Sequence, residues 1–117
     1  MRMVRVVSDP DGQSRFEDLE VAFADLRPGL GVSAIDGAVG TGFRRFAEGF
    51  ASDFHPTALR ERAVIVAGQA EYEVGTGDRR QLGPGDVIQL DDTHGVGHRS
   101  RNVGGGERIM LVVALGG

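Results

Sequence analysis

Cysteine is absent from this 117-residue chain, which excludes disulfides, thiolate metal sites and cysteine nucleophiles together. Lysine is absent too. All thirteen basic residues are arginine, so neither a lysine Schiff base nor a P-loop lysine is available. There is no tryptophan and only one tyrosine. No apolar run approaches the ~18 residues that cross a bilayer. Residues 1–9, interrupted by Arg5, are too short an apolar stretch for a signal peptide. A net charge of −4 speaks against nucleic acid or an anionic membrane as partner. The expectation is a cytoplasmic protein that binds neither. Long amphipathic helices, heptads and internal repeats are also missing.

Glycine is plentiful: nineteen residues in a chain that is 40% hydrophobic. That length and composition suit one domain with one modest core, built from short strands and many turns. Met3–Val7 is a β-prone run stopped by Ser8-Asp9-Pro10-Asp11-Gly12. Residues 14–23 read as a strand in their second half, and Arg27-Pro28-Gly29-Leu30-Gly31 breaks the pattern. Residues 32–42 are small and irregular. Gly42–Phe46 is a strand that puts Phe43 and Arg45 on one face and Arg44 and Phe46 on the other. The preferred reading is an edge strand whose arginines reach water, with Arg45 as the candidate to meet a substrate.

Ala63–Ala67, Gly68-Gln69 and Ala70–Val74 form the clearest hairpin, its first arm buried on both faces, its second with Tyr72 and Val74 inward. Gly75–Asp78 turns into residues 79–82, and Gly83-Pro84-Gly85-Asp86 opens the strand Val87–Leu90. A Gly-punctuated bend then carries His94 and His98. Glycines 104–106 lead to a last buried strand over residues 107–115. Many short strands at regular spacing imply an all-β sandwich or barrel.

The third histidine, His55, lies in a loop-to-strand transition, as the other two do. Gly49, His55-Pro56-Thr57, Glu61 and Gly68 fit one motif: glycine, His-x-His, glutamate, glycine. Gly85-Asp86, His98 and Asn102 fit a second, with about two extra residues in the bend. Over residues 42–115 the chain resembles a cupin, a small double-stranded β-helix or jelly-roll barrel. It is similar to small single-domain bacterial cupins with a His-Pro first motif and an Asp-Thr-Thr-Gly-x-Gly-His bend. Two departures stand out. Thr57 replaces the second histidine of the first motif, and His94 stands where threonine is expected.

The resemblance implies that His55, Glu61 and His98 face the barrel interior and could hold a divalent metal (Fe, Mn, Zn or Ni), the two-His, one-carboxylate donor set. No cofactor at all fits the sequence equally well, since Thr57 removes a ligand. His94 and Tyr72 are the catalytic candidates, as proton carrier and phenol donor; Thr57, Arg45 and Tyr72 are the substrate-binding candidates. Each has a plainer alternative: a rim histidine, a solvated Glu61 between Arg60 and Arg62, a satisfied core His98, and Asp91-Asp92 as side-chain caps of the bend. An Asp91-Asp92 dyad is disfavoured, because adjacent strand residues point oppositely.

Two functions follow. One is an enzyme on a small carbonyl-bearing or aromatic molecule, working by metal- or His-assisted isomerisation, cyclisation, proton abstraction or dioxygenation. The other is a non-catalytic binding barrel, a sensor or storage module. A homodimer is expected from the apolar residues of the N-terminal 1–41 segment, among them Val4, Val6, Val7, Phe16, Val21 and Phe23.

Overall fold

A computed structural model describes residues 1–116. Among these residues there are eleven strands: β1 (Arg2–Ser8), β2 (Ser14–Glu20), β3 (Ala24–Arg27), β4 (Leu30–Val32), β5 (Gly40–Phe46), β6 (Glu61–Ala67), β7 (Gln69–Val74), β8 (Arg79–Leu82), β9 (Val87–Asp91), β10 (His98–Val103) and β11 (Arg108–Ala114). Among the described residues there is no helix, and so none long and apolar enough to cross a membrane. The all-β expectation holds.

A six-stranded sheet runs β2-β1-β9-β6-β11-β5 and a three-stranded sheet runs β10-β7-β8. All pairings are antiparallel except β1 with β9. The core lies between inward-facing residues: Val4 and Val6, Ala63 and Ile65, Ile88 and Leu90, Met110 and Val112 from the large sheet, Ala70, Tyr72 and Val74 from the small one. Burying each larger side chain contributes roughly 1.5–3 kcal/mol. Period-two alternation along each strand is what sends these residues to one side.

The hairpin expected over residues 63–74 is not one. β6 pairs with β9 and β11, whereas β7 pairs with β8 and β10, so the two arms belong to different sheets. Between them Gly68 sits at φ +80°, where a Cβ would lie 2.2 Å from the Glu107 carbonyl oxygen. The chain turns a barrel corner there, and only glycine fits. β6 is not buried on both faces either: Ala63 and Ile65 point inward, while Val66 is exposed.

The N-terminal segment divides in two. β1 and β2 belong to the large sheet, and Val4, Val6 and Val7 are buried in the chain's own core. Their apolar character therefore gives no argument for a partner. Residues 22–39 lie outside that core, with β3 and β4 pairing only with one another and Ile35 97% exposed.

Candidate functional site

The backbone brings His55 and His98 together. Residues 51–55 run beside β10 as an irregular fourth strand: Ala51 bridges Arg101, and His55 bridges His98. Ser52 also donates its N–H to the Ser100 carbonyl at 2.9 Å. The imidazole centroids lie 4.8 Å apart, and the Tyr72 ring is 5.8 Å from that of His98. All three line a cavity of about 360 Å³ between the sheets, with Arg44, Phe46, Phe50, Thr57, Glu61 and Ser100 among its other walls.

Each imidazole is oriented by a bond to Nδ1. The His55 Nδ1 lies 2.9 Å from the Asp53 carbonyl oxygen, and the His98 Nδ1 lies 2.7 Å from Asp92 Oδ2. A carbonyl and an ionised carboxylate only accept, so both rings carry a proton on Nδ1, and in the neutral ring Nε2 is the lone-pair atom. Among the described residues neither Nε2 has a hydrogen-bond partner within the protein. His98 is buried and Asp92 is 0% exposed. The Asp92 carboxylate is held in turn by the Thr57 hydroxyl at 2.9 Å, and the Thr57 N–H donates to the Asp92 carbonyl at 2.9 Å.

Thr57, in the place of the second motif histidine, thus positions the group that positions His98. Asp92 is a site residue that the sequence reading left among bend caps. The signal for it was the opposition of adjacent residues: Asp91 turns outward to Arg5 and Arg60, and Asp92 turns inward.

Other candidates fall elsewhere. His94 is exposed and absent from the cavity wall. Its bend is pinned against the β1–β2 turn, where Ser8 donates to the His94 carbonyl at 2.8 Å and Val96 to the Gly12 carbonyl at 2.9 Å. Arg45 also points away, its side chain 76% exposed, toward Glu107 at 3.8 Å. The arginine that shares a face with Phe46 and lines the cavity is Arg44, on an edge strand as expected. Tyr72 does face in. Its hydroxyl meets only the Met110 sulfur, at 3.4 Å, and burial raises its pKa, so the phenol keeps its proton.

Glu61 lines the cavity, but both its oxygens accept from Arg44, at 2.5 and 2.8 Å. That hydrogen bonding holds Arg44 above its ordinary pKa. The expected metal set does not assemble. Among the described residues no group of three or more His, Asp or Glu side chains is placed to hold an ion: both Glu61 oxygens are taken by Arg44, and Asp92 sits on the Nδ1 side of His98. The second motif's Asn102 is a clamp: its amide nitrogen donates to the carbonyls of Phe46 and Ala47 at 3.1 and 3.0 Å, tying the chain after β5 onto β10.

The fold is the cupin barrel. A cupin-2 conserved barrel domain protein from Salinispora arenicola CNS-205 superposes with a TM-score of 0.52 at 22% identity, over 80% of this chain and 71% of that one. A cupin domain from Bordetella pertussis Tohama I gives 0.52 at 20% identity, over 72% and 88%. KdgF from Halomonas sp. gives 0.51 at 20% identity, over 80% and 86%. No protein-family model matches the chain, and no curated protein matches it.

Proposed function

We propose that this protein is a cupin-fold enzyme that moves a proton on a small carbonyl-bearing molecule, with His98 as the base and Tyr72 as the donor to the substrate oxygen. One observation carries the reading. His98 is buried, fixed through Nδ1 by a fully buried carboxylate, and its Nε2 has no hydrogen-bond partner among the described residues. A carboxylate on the far nitrogen keeps the tautomer and strengthens the base, as it does wherever imidazole accepts a proton. Tyr72 and His55 flank it in the same cavity. Proton abstraction next to a carbonyl and the isomerisation that follows need no more than a base, a donor and exclusion of water.

The test is solvent-deuterium incorporation at the carbon next to the carbonyl, followed by proton NMR over a panel of small ketones and keto acids. The wild-type protein should accelerate exchange for some member of the panel, and His98→Gln should lose about 10²–10⁴-fold of that rate. Compounds that bind without exchange, in wild type and variant alike, would instead mark a non-catalytic binding barrel.

A further inference from the structure

Among the described residues Arg108 has no acidic partner. It opens β11, where the alternation that sends Met110 and Val112 into the core sends Arg108 inward with them. Its side chain is 0% exposed. Elsewhere in the barrel Arg5, Arg44, Arg60 and Arg99 each meet a carboxylate. Arg108 makes one hydrogen bond, from Nη2 to the Ser100 hydroxyl at 3.1 Å, and its Nε and Nη1 are buried without a partner. What surrounds the guanidinium is aromatic. Its carbon lies 3.9 Å from the Phe46 centroid, 5.5 Å from Tyr72 and 5.8 Å from Phe50.

Ring faces attract a desolvated cation by ~2 kcal/mol, yet each buried unsatisfied donor costs roughly 1–3 kcal/mol. Burial pulls the Arg108 pKa below its ordinary value, though a guanidinium keeps its charge in proteins. Phe46, Phe50, Tyr72 and Ser100 all line the cavity that holds the two histidines. The cation therefore lies directly behind that cavity's wall. Of the other charges near the cavity, Arg44 is matched by Glu61, and Asp92 faces His98 and Thr57. Among the described residues Arg108 is the one cation beside the cavity that no carboxylate meets.

We propose that Arg108 is the anchor for a small, planar organic monocarboxylate, whose carboxylate reaches the guanidinium past Phe46 and Phe50. The proposal names the substrate class for the proton transfer above and rests on that reading only for the reacting end. Nη2 carries two hydrogens and Ser100 takes one, so one two-donor edge, Nη2 with Nε or with Nη1, remains free. Such an edge matches both oxygens of a carboxylate. Phe50 lies in the 47–60 connection, which has isolated bridges but no strand, and its ring would have to turn aside for the carboxylate to reach the guanidinium.

Benzoate and its neutral isostere benzamide provide the probe, titrated at constant ionic strength and read by NMR and thermal unfolding in wild type, Arg108→Met and His98→Gln. Benzoate should bind wild type at least about tenfold more tightly than benzamide, one good charged contact being worth about that much. Arg108→Met, which fills similar space without the charge, should be as stable as wild type or more so and should lose the preference. His98→Gln should keep it. If Arg108→Met does not fold, Arg108→Lys takes its place and should weaken benzoate binding by about tenfold, since it lacks the fork.

Equal affinity for the two probes in wild type marks a guanidinium held by aromatic faces alone and overturns the proposal. So does an undiminished benzoate preference in the Arg108 variant, or inorganic phosphate competing as well as benzoate. A preference that tracks Arg108 while no carbonyl compound shows exchange leaves the anion site standing and removes the proton-transfer reading.

Discussion

His55 and His98 form a reciprocal backbone pair, each donating its N–H to the other's carbonyl at 3.0 Å. Hydrogen-bonded antiparallel partners lie about 5.5 Å apart at Cα, so the imidazole contact is set by main-chain geometry and not by side-chain choice alone. Gly97 permits it. At φ +73°, a Cβ on residue 97 would lie 2.0 Å from the His55 carbonyl oxygen and 2.2 Å from its carbon.

Gly97→Ala should therefore separate the two rings. The left-handed backbone alone costs about 1–2 kcal/mol for a residue with a Cβ, and the displaced 51–55 segment adds to it. Thermal unfolding, with the nuclear Overhauser effect between the imidazoles, reads both effects. An unchanged midpoint with the ring contact intact would refute the close approach.

Asp92→Asn tests the orientation of the base. Replacing a fully buried acceptor of two hydrogen bonds should lower stability by roughly 1–3 kcal/mol. Nitrogen-15 NMR of the imidazoles should show the His98 proton on Nδ1 in wild type and a mixed tautomer in the variant. The same Nδ1–H population in both proteins would remove Asp92 from the site.

Asp91 faces the other way and gives a pH signature. Burial by itself would raise its carboxyl pKa, but hydrogen bonds from Arg5, Gln89 and Arg60 outweigh it and hold the group below the usual carboxylate range. A depressed folded-state value contributes stability that is fully present above the unfolded pKa, about 4, and is lost as pH falls through the folded one. Asp91→Asn should cost about 1–3 kcal/mol at pH 7, toward the low end because Arg5 and Arg60 are about a third exposed. The deficit should shrink below pH 4. Urea unfolding at neutral and acid pH measures it, and an equal deficit at both would contradict the assignment.

The 22–39 segment predicts self-association. Phe23 is 54% exposed, Leu26 64% and Ile35 97%. An isolated two-stranded ribbon such as β3-β4 is marginal in water. A groove beside it, lined by Met1, Met3, Leu19, Val21, Val64 and Val87, is apolar as well. We expect a second copy to cover these surfaces, giving a dimer in sedimentation at micromolar concentration and a monomer for Phe23→Ser/Ile35→Ser. A wild-type monomer at that concentration would end the idea.

Much of the barrel was legible. Gly-Pro-Gly-Asp turns where expected, with the Asp86 carboxylate accepting from the Gly83 N–H at 2.8 Å, and Tyr72 and Val74 alternate inward. The misreadings share a cause. Period two tells which residues share a face but not which face looks inward, so Arg45 stood where Arg44 belongs. Two adjacent apolar runs look like a hairpin whether they pair with each other or with strands far away, so β6 and β7 were joined. Arg108 carried a readable sign, one charge in step with Met110 and Val112, and it went unread.

The order of residues by itself determined a helix-free barrel of short strands, its turns, the chemistries that missing Cys and Lys forbid, and two histidine motifs. Only the tertiary structure decided which partner each charge meets: Arg44 for Glu61, His98 for Asp92, none for Arg108. The reason is geometric. Those partners come from strands distant in sequence, and local alternation is the same whichever side becomes the core.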